Sequence, residues 1–272
     1  MYQKLLESST YIRRRIKSNP RIGIMLGTGL DKLIDKMEKK EEIDCSKIPN
    51  FPKVPPGKQV KLLFGSIKNV EICILHGRFP YYEGYSLKEV TYPVYVMKQL
   101  GIDSIFFINS CGGINNNLGI GTLFIVTDFV NLGGASCLIG PNDNRIGPRF
   151  VDMSEPYSKD YIQKAKQIAH RLRIVPQHGV FGWVPGPYYE TAAEIRVFKA
   201  VGIDVVGMSV VPETIAANHL GMKVLSICCV TNMATGIHRT KHSNDWVVEV
   251  AEKASTNLSE WIRNIILEID LK

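Results

Sequence analysis

"GIMLGTGL", residues 23–30, is an apolar run that passes directly into a glycine–threonine–glycine turn. The run reads as a strand, and a turn of this composition lets backbone N–H groups approach an anion closely. That first strand spans 22–26, and further apolar, β-rich segments follow at 70–75, 104–109, 122–127, 180–184, 204–208 and 223–231. Helical patterns lie at 87–100, 159–172, 191–201, 212–220 and 245–267. Alternation of the two kinds predicts an α/β fold with one central, largely parallel sheet. No Pro/Gly/Ser-rich linker, low-complexity tract or repeat divides the chain, so residues 1–272 are expected to form one domain. "IPNFPKVPPGK" (48–58) and "GPNDNRIGPRF" (140–150) read as long functional loops rather than as boundaries.

Composition narrows the class. Hydrophobic residues make up 45% and charged residues 22%, the balance of a soluble globular protein with a sizeable core. No window approaches the uninterrupted apolar length of a membrane span, so no membrane partner is expected. The amino terminus, "MYQKLLESSTYIRRRIK", is too polar for a secretory signal, and its acidic residue argues against a transit peptide. Six cysteines without a CxxC suit a reduced, cytoplasmic protein, and Cys228 and Cys229 in "VLSICCVT" read as small buried hydrophobes. The formal charge of +7 raises the question of nucleic acid. The one tight cluster, Arg13-Arg14-Arg15, falls in an amphipathic first helix and reads as a solvated face, so no nucleic-acid partner is expected. A modest positive field also suits a protein that draws a small anion into a cleft.

The glycine turn is not a nucleotide-cofactor fingerprint. Gly27-Thr28-Gly29 is followed by Leu-Asp-Lys-Leu, so the third glycine of a dinucleotide motif is missing, and no Gly-Lys-Ser/Thr of a P-loop follows. What remains is either a cradle for a compact oxyanion, with the Thr28 hydroxyl, or an ordinary strand-to-helix turn. Three other stretches bear on the choice. In "HGRFPYYEGY" (76–85), Arg78 is a bidentate partner for phosphate or one half of a surface salt bridge. In "INSCGGINNNLGIG" (108–121), backbone amides from Ser110 onward can approach a ligand, unless the glycines serve tight packing alone. In "VGMSVVPE" (206–213), Met208 and Ser209 precede a helix that starts near Pro212, as ligand contacts or as a plain cap. Each donor falls where a strand of a parallel sheet should end, the usual place for ligands in such folds. Together the four favour an anion site.

Taken in order, "LGTGL", "GRFPYYEGY", "NSCGGIN", "GPNDNRIGPRF", "GPYYETAAEIR", "VVGMSVVPE" and "TNMATGI" make the chain similar to the purine nucleoside phosphorylases, in particular the trimeric, 6-oxopurine-preferring kind. The similarity runs from about Arg21 to the final helix, and it implies the family's fold, a mixed, twisted central sheet flanked by helices on both sides. It implies that phosphate and a purine nucleoside give free purine and ribose 1-phosphate, with phosphate as co-substrate and no metal or organic cofactor. The transition state of that reaction carries an oxocarbenium-like ribose and an anionic purine, so phosphate must be held below the sugar and charge stabilised on the base. By the resemblance, Thr28, Arg78, the backbone around Ser110, and Ser209 bind phosphate. Tyr189 packs on the purine, Glu190 accepts from N1–H, and Asn232 donates to N7, the last two being the catalytic pair. Tyr82, Met208 and Asn244 contact ribose. Phe150 is lent to a neighbouring subunit's site, which implies a homotrimer. Glu190 also reads as an acidic residue favoured at a helix N-terminus, and Met208 and Phe150 as packing residues. In related methylthioadenosine phosphorylases the Glu190 and Asn232 positions typically hold Ser and Asp, so the pair found here favours inosine and guanosine.

Two positions depart from the family pattern. Pro80 stands where most members carry a histidine near phosphate, and it can neither donate nor shuttle a proton; His76 lies close in sequence but is expected to point elsewhere, and Glu83 keeps its family position. Asn244 stands where a histidine usually meets the ribose 5′-hydroxyl, unless a slip of register brings His242 there. His238 and His242, four apart, have metal-ligand spacing but no obvious third ligand, so no metal is expected. The departures leave two alternatives: a phosphorylase for 5′-modified, such as 5′-methylthio, nucleosides, or a nucleoside-binding protein with degenerate catalysis.

Overall fold

A computed structural model describes residues 1–27, 31–237 and 243–269. Its strands are β1 (Ile22–Leu26), β2 (Glu38–Asp44), β3 (Lys61–Ile67), β4 (Val70–His76), β5 (Ser104–Gly113), β6 (Leu123–Asn131), β7 (Gln177–Trp183), β8 (Val205–Gly207) and β9 (Lys223–Met233). Its helices are α1 (Tyr2–Arg13), α2 (Leu87–Gln99), α3 (Lys159–Arg171), α4 (Ala192–Ala200), α5 (Val211–His219) and α6 (Asn244–Glu268).

Strand β1 is buried at every residue because β4 and β5 run parallel to it on either edge and helices cover both faces. Side chains alternate across a strand, so Ile22, Ile24 and Leu26 join Tyr161 of α3 and Trp261 of α6 in one core. Met25 faces the opposite core, with Leu5 of α1, Met97 of α2 and Val211 of α5. Helix α2 begins with a reciprocal capping box between Ser86 and Glu89, which fixes where the chain leaves the loop that carries Arg78.

The sheet order is β2-β3-β4-β1-β5-β8-β7-β6-β9, and β9 pairs back onto β5. Strands β5, β8, β7, β6 and β9 thus form a closed ring, with β1 to β4 as a wing on its β5 side. The expected mixed sheet with flanking helices is present. Its parallel share is smaller than the alternation suggested: β3 pairs antiparallel with β2 and β4, and β5–β8 and β6–β9 are also antiparallel.

Two strands went unforeseen. Segment β2, "EKKEEID", is almost wholly charged, and it survives as a bulged edge strand, where solvent meets one margin. Strands β3 and β4 form a hairpin whose turn is Lys68-Asn69, with Lys68 at φ 51° and no glycine to announce it. The run read as 104–109 also continues through Gly113. Its register against β9 shifts at Cys111/Gly112, and from there β5 pairs with β8 as well. "NSCGG" therefore belongs to a strand, and its glycines let two neighbouring strands close in: a Cβ at Gly113 would lie 2.9 Å from Met233 Sδ. The arginine cluster ends α1, where Arg13 donates to Asn19 at 3.1 Å and to the Leu100 carbonyl, and Arg15 lies 3.6 Å over the Tyr11 ring. All six cysteines are buried thiols, with Cys111 Sγ 3.1 Å from Cys228 Sγ. Among the described residues no helix is long and apolar enough to cross a membrane.

Candidate active site

The ends of β1, β4 and β8 and the middle of β5 converge on Arg78. Its Nε donates to the Leu26 carbonyl at 3.2 Å, and Nη2 donates to the carbonyls of Met25 at 3.4 Å and Ile108 at 3.3 Å. The guanidinium is thus bolted to the end of β1 and the middle of β5 rather than swinging on the surface, which removes the exposed-salt-bridge reading. Its ion-pair partner is Glu213 in the first turn of α5, with Nη1 3.8 Å from Oε1. Burial lowers the Arg78 pKa and raises that of Glu213, and each charge partly offsets the effect on the other. At the mouth of β1, the Gly27 N–H donates to the Ile108 carbonyl at 2.6 Å, and a Cβ at Gly27 would lie 3.0 Å from Asn109 Cα. Only glycine allows the strand end that leads to Thr28 to lie so close against β5. Thr28 itself falls outside the described residues.

Ser209 follows β8 directly, and β8 enters beside Ser110: a Cβ at Gly207 would stand 3.6 Å from the Ser110 carbonyl oxygen. Val210, which links Ser209 to α5, has φ 68°. A β-branched residue in the left-handed region is strained, and such strain gathers where a turn must aim a group at a site. Arg78, Pro80, Trp183, Met208, Ser209 and Glu213 line one small cavity.

A second group lies across the strand ends from it. Asn232, on β9, sits opposite Gly112 of β5, and a Cβ there would come 3.3 Å from its Nδ2. The buried Thr231 hydroxyl donates to Asn232 Oδ1 at 3.2 Å, which fixes the amide with its nitrogen on the Gly112 side. Glu190 is buried, and desolvation pushes its carboxyl above the usual range. It is not a helix-capping acid. Thr191 caps α4 and Glu194 closes the capping box, so Glu190 stands just outside with that role already filled. Met208 is seated under Gly186, where a Cβ would lie 2.4 Å from its Sδ at φ 68°. Burial raises the phenol pKa of both Tyr82 and Tyr189, with Arg78 opposing the shift at Tyr82 and Glu190 adding to it at Tyr189. Phe150, by contrast, is 88% exposed, which removes the core-packing reading. Asn244 is exposed as the first residue of α6, after the Ser243 cap.

Arg78 and Ser209 thus line one cavity, while Glu190 is a buried carboxylate and Asn232 an amide bonded to Thr231. A family model described as the phosphorylase superfamily matches residues 21–267. The chain belongs to that superfamily. Its relatives there are purine nucleoside phosphorylases: purine nucleoside phosphorylase 1 of Bacillus subtilis (strain 168) is 41% identical over 271 residues, covering 99% of this chain and 100% of the relative. Isoform 2 of the Schistosoma mansoni enzyme, solved with cytosine and ribose-1-phosphate, superposes with a TM-score of 0.96 at 36% identity, covering 100% of this chain and 98% of that one. Another Schistosoma mansoni purine nucleoside phosphorylase, solved with inosine, gives 0.94 at 33% identity over 98% and 97% of the two chains.

Against this family background the departures take physical shape. Pro80 opens the short 3-10 turn Tyr81–Glu83, and the Tyr81 ring packs 5.9 Å from Trp183. His76 points away, with Nε2 3.3 Å from Asp31, and Glu83 pairs with Lys58. His238 and His242 lie outside the described residues, among which no metal-ligating cluster of three forms. Two residues that line the cavity escaped the sequence reading. Trp183 ends β7, and its buried Nε1 has no hydrogen-bond partner among the described residues. Glu213 lay inside a motif, but an acidic residue in a helix's first turn is ordinary, and only the fold places it beside Arg78.

Proposed function

We propose that this protein catalyses phosphorolysis of 6-oxopurine ribo- and deoxyribonucleosides, inosine and guanosine, to the free base and (deoxy)ribose 1-phosphate, in purine salvage. The observation that carries the reading is Glu190: a buried carboxylate, next to a helix whose capping is complete without it, and held up in pKa by desolvation. A carboxylate in such a place is stabilised by a ligand that brings N–H donors, as N1–H of a 6-oxopurine and the 2-amino group of guanine do.

Arg78, Ser209, the main chain at Ser110, and Thr28 hold phosphate. Its oxygen bonds to C1′ while the C1′–N9 bond breaks and the electron pair passes to the purine. Asn232 Nδ2 donates to N7 as that charge develops, where a fixed donor is most effective. Tyr189 stacks on the base, while Tyr82, Met208 and Asn244 bound the sugar. The reading calls for no metal or organic cofactor. It also places Phe150 against a neighbouring subunit's sugar pocket in a cytoplasmic homotrimer, which accounts for so large an apolar ring standing in solvent.

Equilibrium binding of free bases tests the specificity. The protein should bind hypoxanthine and guanine well above adenine, and Glu190→Gln should weaken hypoxanthine by about tenfold or more, the scale of a charge-assisted hydrogen bond. Adenine bound as tightly as hypoxanthine would remove the 6-oxopurine assignment.

A further inference from the structure

We infer that Glu213 is a positioning residue for phosphate: through its ion pair with Arg78 it holds the guanidinium at the cavity, with the Nη1 donors not hydrogen-bonded among the described residues, and ties it to the Ser209 turn. The inference rests on the reading of Arg78 as a phosphate ligand.

A guanidinium has five N–H donors in a rigid fork. Three of them, on Nε and Nη2, are directed at the carbonyls of Leu26, Met25 and Ile108. The pair on Nη1 remains. Nη1 is buried, and no hydrogen-bond partner for it exists among the described residues. Glu213 faces it at 3.8 Å, near enough to hold the charge but too far to take up the donors. The other carboxylate oxygen, Oε2, is likewise buried and without a hydrogen-bond partner among the described residues. Both side chains line the cavity that Ser209 and Met208 also border.

A buried carboxylate close to an anion site is costly, and simple fold stability does not account for it: a buried pair is often no better than apolar packing of the same volume. Position explains it better. Glu213 sits in the first turn of α5, separated from Ser209 by the strained Val210. The Arg78–Glu213 pair therefore spans from the β4 side of the cradle to the β8–α5 side. It keeps two ligand groups from different parts of the chain in one geometry while leaving the Nη1 donors open.

The test is steady-state kinetics on the intact protein with phosphate and inosine varied in turn, on Glu213→Gln, Glu213→Asp, Arg78→Gln and the Arg78→Gln/Glu213→Gln double variant. Glu213→Gln should raise KM for phosphate by about tenfold or more and leave KM for inosine within about twofold. Glu213→Asp, which keeps the charge, should recover part of the loss. In the Arg78→Gln background Glu213→Gln should add little, because the carboxylate acts through the guanidinium. An unchanged phosphate KM, or equal rises in both KM values, or full additivity with Arg78→Gln, would overturn the inference. If Glu213→Gln fails to fold, the split between the two KM values in Glu213→Asp decides by the same criterion. Failure of the underlying reading looks different: Arg78→Gln would then leave KM for phosphate unchanged, or the unmodified protein would cleave inosine without phosphate or not at all.

Discussion

Arg78 and Asn232 mark the two ends of the candidate site, and the fold holds them by different means. Arg78 is fixed by main-chain carbonyls at the end of β1 and in the middle of β5, so its position is set by the central strands themselves. Asn232 accepts from the Thr231 hydroxyl and stands against Gly112 of β5. Its neighbours at that end come from a loop: Tyr189 is 39% exposed, and Met208 lies beneath Gly186. A main-chain-held end should respond to changes that move backbone. A side-chain-held end should respond to single functional groups, and should be the end at which specificity shifts between relatives.

The largest expected effect lies at the base end. Asn232→Ala removes the donor to the leaving purine and should lower kcat on inosine by about a hundred- to a thousandfold, the range for loss of one oxyanion donor. Phosphate KM and the melting temperature should change little. Near-native turnover by this variant would take the leaving-group role away from Asn232.

Glu190→Gln comes next, with KM for inosine raised by about ten- to a hundredfold. Its effect on stability has the opposite sign. The folded carboxyl has a raised pKa, so its favourable contribution is full below the unfolded value and is lost as pH rises through the folded one. At neutral pH the ionised group is therefore a burden on the free protein, and Glu190→Gln should melt higher at pH 7 but not near pH 4. The KM for inosine of the unmodified protein should also climb on acidification through that raised pKa, a limb the variant should lack. A variant that melts lower at pH 7 would show that Glu190 serves the fold.

A pair of glycine changes sharpens the contrast between the ends. Gly27→Ala brings a Cβ to 3.0 Å from Asn109 Cα, main chain that cannot swing aside. It should raise phosphate KM and lower stability by roughly 1–3 kcal/mol, the usual scale for overpacking. Gly186→Ala meets only the far end of Met208, at 2.4 Å from Sδ, though at a φ of 68°. It should raise inosine KM by about tenfold and spare phosphate, with Met208→Ala in the same chain restoring part of the loss. Matching effects of both variants on both substrates would erase the distinction. The smallest effect expected is Thr231→Val, which removes one hydrogen bond to the Asn232 amide and should cost about fivefold in kcat, the scale of one neutral hydrogen bond.

Much of the fold was legible because the central strands are buried on both faces and therefore read as plain apolar runs: β1, β5 and β9 are the clearest. Charged β2 gave no such signal, since an edge strand can be stabilised by partner and bulge while its side chains remain in water. Closure of the ring was illegible for another reason. The β5–β8 and β6–β9 pairings join segments far apart in sequence, and no local pattern records them. Arg78, Ser209 and Asn232 were legible as candidates because each lies in a motif at or near a strand end, and Glu190 because it lies in a motif just before α4. Glu213 and Trp183 could not, because a first-turn acid and an apolar strand-terminal ring are each ordinary until the fold sets them beside Arg78. The strain at Val210 was equally hidden, since left-handed turns are usually announced by glycine and here none is present.

The most direct measurement of the central claim is release of hypoxanthine from inosine with and without inorganic phosphate, with adenosine and methylthioadenosine run alongside. The account predicts cleavage of inosine that requires phosphate and yields ribose 1-phosphate, with little or none of the adenine nucleosides. Hypoxanthine released equally well without phosphate, or no cleavage by a protein that still binds hypoxanthine, would contradict it.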